Sequence, residues 1–89
     1  MAYADIQLEP PEAGLTADSD PSELFRIGLI YSNGTDVPVD YVAAHKWFNL
    51  AAAKGKAAAI DRREEIASEM SREELAEALR SAREWLATQ

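Results

Sequence analysis

The fold of this 89-residue chain is decided by residues 24–59, LFRIGLIYSNGTDVPVDYVAAHKWFNLAAAKGKAAA. Apolar or small residues recur in each half of this segment at i, i+3, i+4 and i+7, the spacing of one helix face. These residues are Leu24, Ile27, Gly28 and Tyr31 in the first half, and Ala44, Trp47, Phe48, Ala51 and Ala52 in the second. Glycine readily adopts the left-handed conformation that ends helices, so Gly34 and Gly55 are predicted to follow the two helices. The segment therefore predicts a helical hairpin.

The residues just before each pattern are typical of helix starts. Asp20 followed by Pro21 and Glu23 supplies an N-cap, a proline at the first helical position and an acidic third residue. Asp40 is the predicted N-cap of the second helix. Pro38 keeps the connection between the two helices irregular.

Two further helices are predicted after Gly55. Helix three is expected over residues 56–69, and Ser71 with Glu74 forms a capping-box pattern that opens helix four. Helical spacing continues in helix four through Leu75, Ala78, Leu79, Ala82, Trp85 and Leu86. The expected fold is all-α, with four helices in two antiparallel hairpins.

The first hairpin also carries a series of small and aromatic residues at fixed spacing. The series consists of Ile27, Gly28, Tyr31, Gly34, Val37, Asp40, Ala44, Trp47, Phe48, Ala51, Ala52, Gly55 and Ala59. In these positions the chain resembles the Sel-1-like repeat family, which is related to the tetratricopeptide repeat. The resemblance implies a short α-solenoid fragment with a complete repeat over residues 20–55. It also implies a degenerate capping hairpin over residues 56–89, where Arg63-Glu64 stands in place of an apolar-Gly pair.

Residues 1–19 differ in composition from residues 20–89, the predicted repeat domain. Pro10 and Pro11 forbid a helix there, and residues 1–20 carry five acidic residues and no basic one. We therefore expect an acidic, disordered tail. Tyr3, Ile6 and Leu8 are apolar and are the tail residues that would dock onto the domain.

Composition and charge exclude several classes of function. The net charge is −7 with no lysine or arginine cluster, which disfavours nucleic-acid binding and favours a basic partner. The absence of cysteine excludes a disulfide framework and a thiolate nucleophile. No apolar run has the roughly 20 residues that span a bilayer, and the N-terminus does not resemble a signal peptide. No membrane association and a cytoplasmic location are the expectations.

No group of residues in the sequence forms a catalytic or metal-binding pattern. His45 is the single histidine, has no second ligand at i+3 or i+4, and is expected to be a solvent-facing structural residue. Ser71 is explained as a helix cap, and no other serine lies beside a plausible base. The chain is predicted not to be an enzyme and to bind no metal and no cofactor.

Phe25 and Leu29 form a second apolar stripe on helix one, beside the stripe that faces helix two. The resemblance implies that this stripe faces a concave groove that holds a partner peptide or helix, with Ser22, Ser32 and Asn33 alongside. Alternatively, helix three or the N-terminal tail covers the stripe, or it is a self-association surface. The leading interpretation is a non-catalytic, monomeric protein-interaction adaptor.

The alternative function is that of a structural or homo-oligomeric element. Trp85 and Leu86 lie in the last turns of helix four, where a second copy could stack on the open edge of the solenoid. Either Trp85 packs into the core, or a partner covers it.

Overall fold

The computed structural model describes residues 9–89, and within that range it is all-helical, without a β-strand. Its four helices are α1 (Pro21–Asn33), α2 (Tyr41–Ala53), α3 (Ala57–Ala67) and α4 (Arg72–Ala87). The predicted all-α fold with four helices is confirmed. In the part of the chain so described, no helix is long and apolar enough to cross a membrane.

Most helix ends lie where local chemistry predicts them. The Asp20 carboxylate accepts a hydrogen bond from the Ser22 amide at 2.7 Å, and the Glu23 carboxylate accepts one from the Asp20 amide, which completes a capping box. Ser71 and Glu74 form the same motif at the start of α4. Gly34 closes α1 in the left-handed conformation, with φ +73°.

Helix α3 is shorter than predicted, Ala57–Ala67 instead of residues 56–69. Its N-cap, Lys56, makes no side-chain hydrogen bond to the helix start. At the other end, Ser71 adopts an extended backbone, with φ −76° and ψ 167°, to cap α4. After Ala67 the amides of Glu69 and Met70 donate to the carbonyls of Ile66 and Ala67, three residues back, so turns connect α3 to this cap.

Helix α2 is the centre of the fold, because it packs against each of the other three helices. Trp47 and Phe48 of α2 are fully buried together with Leu24 and Ile27 of α1. At Gly28 the two helices approach so closely that a Cβ atom would lie 2.5 Å from Cε1 of Phe48. The small residue in the first stripe therefore creates the space that the Phe48 ring fills.

Helices α3 and α4 bury mainly alanines against the core. Ala59 and Ile66 are the buried residues of α3, and Ala78 and Ala82 those of α4. Trp85 of α4 packs edge-on against Trp47, with ring centroids 5.0 Å apart. Short side chains let these helices approach α2, and the two tryptophans fill the remaining gap.

Residues 9–19, here named the N-terminal strap, form consecutive turns beside α1 and α2. Leu15 packs against the core, and the Tyr31 hydroxyl donates to Glu12 Oε1 at 2.7 Å. The Lys54 ammonium donates to the carbonyl oxygens of Ala17 and Ser19. Tyr3, Ile6 and Leu8 lie outside the described residues, as does the rest of the predicted tail before residue 9. The division into tail and repeat domain stays a prediction.

Candidate functional site

The predicted partner-binding residues share one side of α1, which we name the α1 outer face. It consists of Ser22, Phe25, Leu29, Ser32 and Asn33. Eleven residues separate the first member from the last, a distance of about 16 Å along a helix. That length matches about five residues of an extended peptide or three turns of a helix.

The apolar part of the α1 outer face is partly exposed and partly packed on the core. The Phe25 ring lies 5.7 Å from the Phe48 ring, and both Phe25 and Leu29 contact the core cluster while keeping some solvent exposure. Contact with α2 fixes the position of the Phe25 ring. The stripe is thus an apolar strip packed on the core, with one accessible side.

Lys56 lies beside this strip, although the sequence assigned it only to the start of helix three. Its ammonium is 5.4 Å from the centre of the Phe25 ring and donates to the Ser22 hydroxyl at 3.2 Å. Both distances depend on how α3 packs after Gly55. The apolar spacing of helix one therefore does not predict that Lys56 lies beside Phe25.

The polar members of the α1 outer face have different environments. The Ser32 hydroxyl donates to the Leu29 carbonyl at 3.3 Å and is partly buried, so helix backbone already satisfies it. Asn33 is exposed in the last turn of α1. Ser22 and Asn33 therefore mark the two ends of the accessible strip.

The N-terminal strap lies on the other side of α1 from Phe25. A surface cavity of about 450 Å³ separates Pro10 and Pro11 from Ile30 and Val37. Ile30 follows Phe25 by five residues, which is about 140° around the helix axis. Where Pro10 and Pro11 approach α1, the strap therefore lies well away from Phe25.

The expectation that His45 faces solvent is wrong. His45 is only 6% exposed, and its Nδ1 has no hydrogen-bond partner in residues 9–89. Burial and the nearby Arg63 guanidinium lower the pKa of His45 from its usual range. α3 and α4 pack on α2 in addition to α1, so α2 buries a wider arc than its apolar stripe predicts. No cluster of three or more metal-ligating side chains exists within residues 9–89.

The predicted stacking edge contains one half-buried residue and one exposed residue. Trp85 is partly covered through its contact with Trp47, whereas Leu86 is 48% exposed. Leu79, on the same side of α4, is 41% exposed. Trp85 is thus part of the core where it contacts Trp47, and the exposed apolar surface of α4 belongs mainly to the leucines.

A closely packed helical hairpin with two further helices packed on it is the arrangement of the class of α-helical repeat proteins. Residues 24–56 match the family model described as Sel1 repeat. The chain is therefore a helical protein that contains a Sel1-like repeat, as its resemblance implied. Sel1 repeats generally mediate protein–protein interaction. No curated protein and no solved structure matched the chain.

Proposed function

We propose that this protein is a non-catalytic adaptor that holds a peptide or a helix of a partner protein on the α1 outer face. The observation that carries the proposal is the pair of partly exposed apolar residues, Phe25 and Leu29, packed against the core on the repeat's first helix. Rigid anchors lose little conformational entropy on binding, so a strip of this kind can bind with few contacts. The general role of Sel1 repeats in protein–protein interaction supports the same function.

Site-specific photo-cross-linking in the native cell tests this proposal. A photoreactive amino acid is placed at Asn33, at the exposed end of the α1 outer face, and in a matched variant at Arg80, exposed on α4. The expected result is a discrete adduct from position 33 and none from position 80. Adducts from position 80 alone would move the binding surface to α4 and contradict the proposal.

A second candidate function is that of a self-associating structural element. Exposure of Leu79 and Leu86 on one side of α4 favours it, because two copies could bury these leucines against each other. Light scattering over a range of protein concentrations distinguishes the two candidates. An adaptor keeps the mass of a monomer, whereas a stacking element gains mass with concentration, and Leu86→Glu would abolish that gain.

A cytoplasmic location stays a prediction. Fluorescence microscopy of the tagged protein in its native cell checks it.

A further inference from the structure

Two basic side chains border the apolar strip of the α1 outer face. The Lys56 ammonium lies beside Phe25, and the exposed Arg26 lies on α1 itself, three residues before Leu29. Residues i and i+3 are neighbours on a helix surface, so Arg26 flanks Leu29. Within residues 9–89 the single ion pair joins Arg63 and Glu64, so neither Arg26 nor Lys56 has a carboxylate within 4.0 Å.

Two acidic residues at the start of α1, beside this surface, already have partners. The carboxylates of Asp20 and Glu23 accept hydrogen bonds from backbone amides in the first turn of α1. Backbone amides and the positive end of the helix dipole offset much of their charge. The strip is thus bordered by two basic groups that form no ion pair with residues 9–89, in a chain whose net charge is −7.

Distance determines whether a bound segment responds to the basic groups beside the strip or to the acidic residues elsewhere on the protein. The protein extends 41 × 29 × 22 Å, while charges in physiological salt are screened over about 8 Å. A charge more than about 8 Å away on another helix therefore affects the approach of a partner more than its contacts on α1. Lys56 lies 5.4 Å from the Phe25 ring, so a group bound on the strip is within the screening distance of its ammonium.

We infer, on the basis of the proposed function, that the partner segment is acidic. It has an apolar side chain that contacts Phe25 and Leu29. Carboxylates on either side of this side chain pair with Lys56 and Arg26. The Lys56 ammonium would then exchange its contact with the Ser22 hydroxyl for a charged one. A basic segment would instead place like charges against both residues, which is costly at an interface. An acidic partner is the opposite of the basic partner that the net charge of −7 favours.

Peptide selection followed by affinity measurement tests the inference. A display library of random 12-residue peptides is selected on the full chain, and enriched peptides are synthesised with a fluorophore for anisotropy titration. We expect an apolar residue flanked by aspartate or glutamate. Lys56→Glu and Arg26→Glu should each weaken these peptides by about tenfold, while replacing their acidic residues with lysine restores binding to the variants. Arg80→Glu, the same charge change on exposed α4, should leave the affinity within about twofold.

Two different failures can be separated with Leu29→Ala. If selected peptides are weakened by Leu29→Ala but are basic or neutral and bind the Lys56→Glu variant unchanged, the acidic partner is excluded and the proposed function stands. If no peptide is enriched, or none depends on Leu29, the α1 outer face is not a binding surface and both proposals fail. Circular dichroism of each variant confirms that it is folded, and Lys56 and Arg26 are not core residues.

Discussion

Gly28 shows how one residue determines the distance between two helices. A side chain at this position would overlap the Phe48 ring, which the core holds on every side. Gly28→Val should therefore lower the free energy of unfolding by about 2 kcal/mol or more, through overpacking and a β-branched residue in a helix. Urea denaturation measures this loss.

Ala76→Val is the matched control for Gly28→Val. Ala76 is exposed within α4, so the same β-branched side chain meets only solvent there and should cost less than about 1 kcal/mol. Equal losses at the two positions would mean that the contact between α1 and α2 at Gly28 contributes nothing specific.

His45 makes the stability of the protein depend on pH. Its pKa is lowered in the folded protein, so the unfolded chain takes up a proton first, near the usual value of about 6.5. Stability is therefore complete above pH 6.5 and decreases as the pH falls through that value towards the lower pKa of the folded state. Unfolding free energies measured at pH 8 and pH 5 should show this decrease.

The variant His45→Leu isolates this contribution, because it keeps an apolar side chain of similar size and removes the titrating group. The stability difference between the variant and the natural protein should change between pH 8 and pH 5 in favour of the variant. A difference that is the same at both pH values would show that His45 does not carry the pH dependence.

Leu29 and Leu79 are two partly exposed leucines on different helices. Comparing their alanine variants therefore distinguishes an effect on binding from an effect on stability. Leu29→Ala should weaken the binding of selected peptides by 1–3 kcal/mol, roughly the contribution of a buried apolar anchor, while the protein stays folded. Leu79→Ala removes the same atoms from α4 and should leave peptide affinity unchanged. Titration of both variants with one peptide makes the comparison, and equal losses would place the binding surface elsewhere.

At the scale of the element, docking of α4 depends on two tryptophans with different burial. Trp47 is fully buried, so Trp47→Ala should cost roughly 3–5 kcal/mol. Trp85 is half-buried and contacts Trp47 with one edge, so Trp85→Ala should cost less. Thermal unfolding of both variants checks the order, and single-tryptophan variants should show bluer fluorescence for Trp47 than for Trp85.

The helices themselves are predictable from sequence because their determinants are local. Asp20, Ser71 and Gly34 act within one turn of the helix end that they define, and each does so as its pattern predicts. The predicted α3 is too long, because the residues after Ala67 form turns that its apolar spacing does not reveal. Local patterns thus predict the starts of helices better than their ends.

The surroundings of the candidate site were less predictable, because they depend on packing between helices. Lys56 reaches Phe25 only because α3 starts beside α1, and His45 is buried only because α2 contacts three helices. Neither fact leaves a periodic pattern in the sequence. The apolar stripe of Phe25 and Leu29 was recognisable, whereas the charge beside it was not.

At the scale of the whole molecule, the N-terminal strap holds the α1–α2 hairpin from the side away from Phe25. Burial and the hydrogen bond to Glu12 raise the pKa of Tyr31 above its usual range, so the hydroxyl stays protonated and able to donate at neutral pH. Lys54 binds the strap through backbone carbonyls, which any residue supplies. Composition alone therefore does not reveal this attachment.

The strap and the α1 outer face should consequently be independent in function. Deleting residues 1–19 removes the packing of Leu15 and the hydrogen bonds to Tyr31 and Lys54, and should lower the unfolding free energy by about 1–3 kcal/mol. Affinity for a selected peptide should not change, because Pro10 and Pro11 lie beside Ile30, which is about 140° around α1 from Phe25. Deleting residues 1–8 alone is the matched control and should preserve the stability that the strap provides. If removing residues 1–19 instead strengthens peptide binding while removing residues 1–8 does not, the strap competes for the α1 outer face, and the two surfaces are coupled.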